Sequence, residues 1–258
     1  MNMENPPPTG YPGQTEGPRA VRVQPPQGKP AVTYTLLVIS ILVYLLQLAT
    51  QYLLAGTDLP ALYGMKINPF IIEGQLWRLI TPMFLHGSIL HLAFNMYALL
   101  IFGPSLERYY GHGRYLALYF VSGFAGNVAS FLFTASPSLG SSTAIFGLLG
   151  AEAVFLYRNR ELFGSSSQRA LINLITIAVL NLFIGLSPGS GIDNWGHIGG
   201  LVGGTLFAWF VGPLLQVEGG YPYYTLADQR QSGTAVIGAV GVFALFAVLA
   251  ALGIYFGV

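Results

Sequence analysis

The stretch DNWGHIGGLVGG, residues 193–204, decides the fold class of this chain. Its glycines recur every four residues, which gives a predicted helix a smooth face that a neighbouring helix can approach closely in lipid. The stretch begins near the start of an uncharged window, residues 194–217, that is long enough to cross a bilayer. We therefore predict that a tightly packed transmembrane helix begins here.

Composition extends this prediction to the whole chain. Of the 258 residues 8% are charged and 53% hydrophobic, and the net charge is +1. A soluble domain carries about a quarter charged residues, so an ordinary cytosolic fold is excluded. The small net charge argues against a nucleic-acid partner and leaves the lipid bilayer as the expected surroundings. With no cysteine, disulfides, thiolate metal sites and cysteine catalysis are excluded together.

Charged residues divide the sequence into apolar windows. A bilayer core of about 30 Å needs roughly 20 apolar residues per helix. The longest window, residues 115–151, contains the turn-rich segment 136–141 and is therefore predicted to hold two helices. We predict an all-α polytopic membrane protein with seven spans, at about residues 32–55, 86–103, 114–134, 142–157, 170–187, 194–213 and 234–256.

The basic residues set the predicted orientation. Nine of the eleven lie on one side of the seven spans, and Lys66 and Arg78 lie on the other. Because cytoplasmic loops carry the excess of Lys and Arg, we expect a multi-pass protein with a cytoplasmic N-terminus and a C-terminus outside. Without a targeting segment, a bacterial-type plasma membrane is the default location.

The remaining segments complete the predicted organisation. Residues 1–30 contain eight prolines and few large aliphatic side chains, so we expect a disordered cytoplasmic tail rather than a docking segment. Residues 56–85 are too apolar for a free loop and are expected to lie in the membrane interface as short helical turns. Residues 31–213 then form the core, 214–233 a cytoplasmic linker and 234–258 an additional transmembrane helix.

A glycine- and serine-rich turn, residues 140–143, leads straight into the fourth predicted span. It places the hydroxyl of Ser142 at the first turn of a helix, where backbone N–H groups are unpaired and the helix dipole is positive. This position favours a nucleophilic serine beside an anion-stabilising site. The alternative is a plain Ser or Thr N-cap.

His197 falls within about one turn of the start of the sixth span. That span and the fourth carry matching stripes of small residues, which are Gly196, Gly200 and Gly204 on one and Thr143, Gly147 and Ala151 on the other. If the stripes pack, Ser142 and His197 come to the same depth on facing helices. A Ser within reach of a His base is the minimum for an activated nucleophile. The alternative is a structural histidine in a packing motif.

His91 and Asn95 are four residues apart in the second span and so share one helical face. Ring and amide N–H groups suit them to stabilise a developing oxyanion. The alternative is interhelical hydrogen bonding that only stabilises the bundle. No His, Asp or Glu set has the usual metal-ligand spacing, so no metal site is predicted.

Taken in chain order, these residues resemble the rhomboid intramembrane serine proteases. The matching elements, over about residues 32–213, are Trp77-Arg78, His86, His91 with Asn95, Glu107-Arg108, the turn Gly140–Thr143 and His197–Gly200. The resemblance implies a six-helix bundle plus one extra C-terminal helix, a 6+1 arrangement. It also implies hydrolysis of a peptide bond in or near the transmembrane segment of single-span or multi-span membrane-protein substrates, without a cofactor.

The resemblance further implies a role for each residue. Ser142 would be the nucleophile and His197 the general base of a dyad, while His91, Asn95 and the Ser142 N–H would form the oxyanion hole. The supporting residues would be Phe146, against which the imidazole stacks, and Gly140 and Gly200, which permit close approach. Many relatives carry Gly or Ala after the nucleophile where this chain has Thr143, a departure expected to affect packing more than activity.

Other polar residues near these spans are expected to be structural. Asp193 is expected to cap the sixth span rather than to serve as a triad acid. Glu152 lies roughly 15 Å along the helix from Ser142 and is expected to snorkel or to pair with Arg158. His86 matches a partly structural histidine.

Two other functions were weighed against the protease. A catalytically inactive rhomboid relative would bind membrane clients, but such proteins usually lack the Ser or the His. A small transporter would require inverted repeats and an ion-coordinating carboxylate near the midplane. No repeat is evident, and Glu152 is the only carboxylate expected at that depth. The joint presence of Ser142, His197, His91 and Asn95 favours the protease.

Overall fold

The computed structural model describes residues 26, 28–220 and 223–258, so nearly all of the predicted N-terminal tail lies outside the described residues. Helices account for most of this part of the chain. They are α1 (Ala31–Leu53), α2 (Leu59–Gly64), α3 (Asn68–Ile72), α4 (Ile89–Tyr110), α5 (His112–Phe133), α6 (Ser142–Arg158), α7 (Arg160–Phe163), α8 (Ser165–Gly185), α9 (Asn194–Val211) and α10 (Ser232–Phe256), with 3₁₀ turns at Leu76–Leu79 and Thr81–Phe84.

Seven long helices occupy the places of the seven predicted spans. Within the described residues, α1, α4, α5, α8 and α10 are long and apolar enough to cross a membrane. The other two, α6 with 17 residues and α9 with 18, are shorter or richer in glycine and histidine. They lie in the centre of the bundle, where they pack most extensively against α5 and each other and also contact α4, α8 and α10.

The predicted end of the second span at residue 103 is wrong, because α4 continues to Tyr110. Charged Glu107 was expected to lie outside the helix, yet it is 2% exposed. Its carboxylate accepts hydrogen bonds from the backbone N–H groups of Val32 and Thr33, both at 2.8 Å. The first turn of α1 thus supplies the partners that let a carboxylate remain buried in α4.

Residues 56–85 form α2, α3 and the two 3₁₀ turns. Arg78 holds this irregular backbone together, since its guanidinium donates to the carbonyls of Met65 at 2.8 Å and Leu62 at 2.9 Å. Trp77 Nε1 donates to the carbonyl of Tyr63 at 2.9 Å. The segment therefore satisfies its buried carbonyls with its own side chains.

Glycines allow α9 to pack against two helices. On one face, a Cβ at Gly200 would lie 3.2 Å from Thr143 Cα and closer still to its carbonyl, so α6 and α9 are in backbone contact. This confirms the predicted packing of the two small-residue stripes. On the other face, a Cβ at Gly199 would lie 2.8 Å from the carbonyl oxygen of Ala125 in α5, a contact that the sequence analysis did not predict.

The linker before the last helix contains the two strands of this mostly helical structure, which the sequence did not lead us to expect. It contains an antiparallel hairpin of β1 (Leu215–Gly220) and β2 (Tyr223–Asp228). Asp228 anchors the hairpin by accepting the N–H of Leu214 at 2.9 Å and Nη2 of Arg114 at 2.6 Å. The hairpin could have been predicted from the strand-forming residues on either side of a glycine pair.

Candidate active site

Ser142 is the first residue of α6, and the residue before it is the N-cap. Neither serine caps the helix with its side chain: Ser141 Oγ lies 3.2 Å from His86 Nε2, and Ser142 Oγ has no hydrogen-bond partner among the residues described. A serine does occupy the N-cap position, but the side-chain capping bond of the N-cap alternative is absent from the described structure. The hydroxyl of Ser142 stays free at the start of a helix.

Gly140 fixes the approach to Ser142. Its φ is +136°, a conformation that glycine adopts without strain, and its N–H donates to the carbonyl of Pro82 at 2.9 Å. A Cβ at this position would lie 2.8 Å from His91 Nε2 and 3.6 Å from Ser142 Oγ. A side chain at position 140 would therefore collide with the His91 ring close to the Ser142 hydroxyl, so no larger residue fits there.

His197 lies in the first turn of α9 and is 7% exposed. Its ring stacks on Phe146, with centroids 4.1 Å apart and planes 14° from parallel. Asp193 is the N-cap of α9, as predicted, because its Oδ1 accepts the Gly196 N–H at 2.9 Å. The second carboxylate oxygen accepts from Ser130, so Asp193 makes no hydrogen bond to the His197 ring. An aromatic face, not a carboxylate, orients this imidazole.

The starts of α6 and α9 lie side by side. A Cβ at Gly196 would lie 3.1 Å from Thr143 Cγ2, and these two residues directly precede His197 and directly follow Ser142. No hydrogen bond joins Ser142 Oγ to the His197 ring in the described structure. Such bonds are often long in ligand-free enzymes and tighten when substrate binds.

The two residues assigned to the oxyanion hole lie on one face of α4, as predicted. The backbone N–H of Gly87 lies 3.4 Å from His91 Nδ1, which assigns the ring proton to Nε2, the atom beside Gly140. Asn95 is 7% exposed, and its Nδ2 donates to the His91 carbonyl at 3.1 Å. That bond leaves one amide N–H of Asn95 for another acceptor.

His86 packs closer to this cluster than the sequence analysis expected. Its ring centroid lies 5.2 Å from that of His91, and its Nε2 contacts the Ser141 hydroxyl. Its backbone N–H donates to Gln47 Oε1 at 3.0 Å, which ties the cluster to α1. The feature of the sequence that could have predicted this proximity is the position of His86, five residues before His91 and at the end of an irregular segment.

Two polar residues away from this cluster have surroundings that were not predicted. Glu152 does not pair with Arg158, because Arg158 Nη1 donates to the carbonyl of Trp209 at 2.5 Å. Glu152 Oε2 is buried without a partner in the described part of the chain. Nδ1 of His112 lies 2.6 Å from Oε1 of the buried Glu107, a contact that was not among the predictions. In the same part of the chain, no group of three His, Asp or Glu residues could hold a metal ion.

Comparisons with known proteins agree with this architecture. Residues 73–214 match the model of the Rhomboid domain. Rhomboid protease GluP of Bacillus subtilis (strain 168) is 43% identical over 181 residues, 70% of this chain and 35% of GluP. RHOMBOID-like protein 9, chloroplastic, of Arabidopsis thaliana is 38% identical over 70% of this chain and 40% of that protein. YdcA of Bacillus subtilis (strain 168) is 33% identical over 69% of this chain and 87% of YdcA.

These findings define the class and then the family. The apolar helices and the relatives make the protein an integral, multi-pass membrane protein. The chain belongs to the rhomboid family, because residues 73–214 match the Rhomboid domain and the similarity to YdcA covers 87% of that protein. It spans well under half the length of GluP and of the Arabidopsis protein.

Proposed function

We propose that this protein is an intramembrane serine endopeptidase that hydrolyses a peptide bond in or near the transmembrane segment of membrane-protein substrates. The observation that carries the proposal is the contact between two helix starts: that of α9, where the His197 ring stacks on Phe146, and that of α6, where Ser142 is the first residue. The name of GluP, a rhomboid protease, supports the same reaction.

In the proposed mechanism, Ser142 Oγ attacks the substrate carbonyl while His197 takes the hydroxyl proton. The tetrahedral intermediate collapses as His197 returns that proton to the leaving amine, which gives an acyl-enzyme on Ser142. A water then attacks the ester with His197 again as base, and Ser142 regains its proton when the carboxylic acid leaves. The Phe146 face holds the imidazole in place through these transfers.

The negative oxygen of the intermediate needs hydrogen-bond donors. The proposed donors are the Ser142 N–H at the helix start, the Nε2–H of His91, whose ring lies against Gly140, and the amide N–H of Asn95 that the His91 carbonyl leaves unused. Removal of one preorganised donor of this kind typically raises the activation free energy by about 2.7–4 kcal/mol. Gly140 and Gly200 contribute by allowing the close backbone contacts described above.

The proposed membrane arrangement places this chemistry below one surface. The 17 residues of α6 span about 26 Å at 1.5 Å per residue, less than a core of about 30 Å, so Ser142 is recessed. We propose residues 31–213 as a six-helix protease core, 214–233 as a cytoplasmic linker and 234–258 as a seventh transmembrane helix. The N-terminus is cytoplasmic and the C-terminus lies outside, in a plasma membrane of the bacterial type.

The test compares wild type with Ser142→Ala in liposomes that contain a model single-span substrate and a chelator. We expect cleavage by wild type and none by the variant. A matched control is Ser165→Ala, because Ser165 is likewise the first residue of its helix, α8. The control is expected to cleave at the wild-type rate.

A serine-directed phosphonate probe separates the proposal from its alternative. Labelling of wild type and Ser165→Ala, but not of Ser142→Ala, is expected of an activated nucleophile. If wild type neither cleaves nor reacts with the probe, the active protease is excluded and an inactive relative that binds membrane clients becomes the better hypothesis.

A further inference from the structure

Lys66 lies between α2 and α3, far in sequence from the catalytic pair, and its side chain is fully buried. Its ammonium donates to the carbonyl oxygens of Thr134 at 2.6 Å and Ser136 at 2.9 Å. These carbonyls follow the last turn of α5, where helix carbonyls have no intrahelical partner and the dipole favours a cation. Lys66 therefore closes the C-terminal end of α5 from another part of the chain.

The backbone of Lys66 contacts the same segment. It forms an antiparallel bridge with Ser138, in which the Lys66 N–H donates to the Ser138 carbonyl at 2.9 Å and the Ser138 N–H donates back at 3.1 Å. Two residues later, Gly140 is held on its other side by Pro82. The segment that leads to Ser142 is thus clamped between two parts of the interfacial region.

A second link runs from this segment to α9. Ser138 Oγ lies 3.2 Å from Ser130 Oγ, and the Ser130 hydroxyl donates to the Asp193 carboxylate. Asp193 in turn accepts the Gly196 N–H on its side chain and the His197 N–H on its backbone carbonyl at 3.0 Å. An unbroken chain of hydrogen bonds therefore connects Lys66 to the turn that carries His197.

Charge adds to these contacts. Burial lowers the pKa of Lys66 to about 8, and the facing carboxylate of Asp193 acts in the opposite direction. A buried ammonium persists only where several acceptors replace its water. The carbonyl oxygens of Thr134 and Ser136 provide those acceptors, and the negative charge of Asp193 attracts the ammonium as well.

We propose that Lys66 is a positioning residue for the Ser142–His197 pair. It holds the turn before Ser142 and the first turn of α9 in one register without contacting either reacting side chain. This inference rests on the proposed function. Because a displacement of about 1 Å can lower a rate by roughly 10²-fold, a tether of this kind acts on kcat rather than on substrate binding.

The variants are Lys66→Met, which keeps the side-chain length but removes the charge and donors, and Ser130→Ala, which breaks the link to Asp193. The matched control is Asn68→Ala. Asn68 joins the same interfacial region to the end of α5 through the carbonyls of Phe131 at 2.8 Å and Thr134 at 3.3 Å, but makes no hydrogen bond to residues 135–141 in the described structure.

For kinetics, we expect Lys66→Met to lower kcat on the order of 10-fold with little change in KM. The double variant with Ser130→Ala should lose less than the product of the two single losses, since the Lys66 side chain and the Ser130 hydroxyl both hold the same short segment, residues 134–138. Asn68→Ala should keep kcat within about twofold of wild type, even if its melting temperature falls as far as that of Lys66→Met. Wild-type kcat in Lys66→Met would overturn the proposal.

Amide hydrogen exchange tests positioning without any proteolysis. In Lys66→Met, exchange should become faster at residues 138–142 and 194–197, and it should stay at the wild-type rate there in Asn68→Ala. If wild type proves inactive, the proposed function fails while this measurement still decides the role of Lys66. Unchanged exchange in both segments of Lys66→Met would show that Lys66 positions neither turn.

Discussion

Phe146 and His197 form a parallel stack with ring centroids 4.1 Å apart, and in the proposed mechanism Phe146 orients the imidazole as a carboxylate does in a catalytic triad. The single nearby carboxylate among the described residues, Asp193, is already bound by Gly196 and Ser130. The imidazole is therefore oriented through packing, and its orientation depends on a flat neighbour.

Replacing Phe146 with leucine should reduce kcat by about 2- to 10-fold, because stacked aromatic pairs contribute about 0.5–1.5 kcal/mol beyond the area they bury. Steady-state cleavage and the rate of phosphonate labelling of Ser142 should fall together. Phe155→Leu is the control: Phe155 is also buried in α6 and packs against Tyr109 with ring centroids 4.7 Å apart, but it lies more than two helical turns beyond Phe146. Equal losses in the two variants would contradict a specific role for Phe146.

Gly200→Ala should destabilise the protein and abolish cleavage. Its Cβ would collide with the backbone of Thr143, and because backbone cannot move aside cheaply, α6 and α9 must separate. Overpacking of this kind costs about 1–3 kcal/mol or more. Thermal unfolding followed by tryptophan fluorescence measures the loss.

The control for Gly200 is Gly241→Ala in α10, where a new Cβ would meet nothing within 4 Å. Removing a helical glycine at an open position reduces the freedom of the unfolded chain, so this variant should be as stable as wild type or slightly more stable. A Gly200→Ala protein with wild-type melting temperature and activity would mean that the backbone contact is not needed.

Asn95→Ala should lower kcat by roughly 10²-fold if Asn95 is a separate oxyanion donor, and by less if His91 and the Ser142 N–H compensate. Asn181→Ala is a close match, since Asn181 in α8 donates to the carbonyl four residues earlier at 2.9 Å, as Asn95 does to His91 at 3.1 Å. The control should retain its rate. An unchanged rate in Asn95→Ala would mean that Asn95 only stabilises the helix bundle and donates no hydrogen bond to the oxyanion.

Sequence patterns predicted the long helices and the convergence of α6 and α9 because both depend on local features. Apolar length indicates a helix, and glycine spacing indicates which face a neighbour approaches. Residue types at helix starts also identified Ser142 and His197 as residues on facing helices. These are properties of short windows, which a single sequence records.

Contacts between distant segments were not predictable in the same way. The burial of Glu107 depends on the first turn of α1, and the burial of Lys66 depends on carbonyls that lie some seventy residues later. Most of the groups that hold these two side chains are backbone N–H and C=O groups, which occur at nearly every position and so do not mark a partner in the sequence. Lys66 was therefore used only to assign topology.

Lys66 also predicts a pH dependence of stability. Burial lowers its pKa from 10.5 to about 8 in the folded protein, so between these values the unfolded chain binds more protons than the folded one. The free energy of unfolding contributed by this residue therefore rises with pH from about 8 to about 10.5 and is constant below that window. Comparing wild type with Lys66→Met removes the contributions of other titrating groups. The melting temperature of wild type minus that of Lys66→Met should therefore increase as the pH rises across that range. A constant difference from pH 7 to pH 10.5 would mean that the ammonium in the fold is as easily deprotonated as in water.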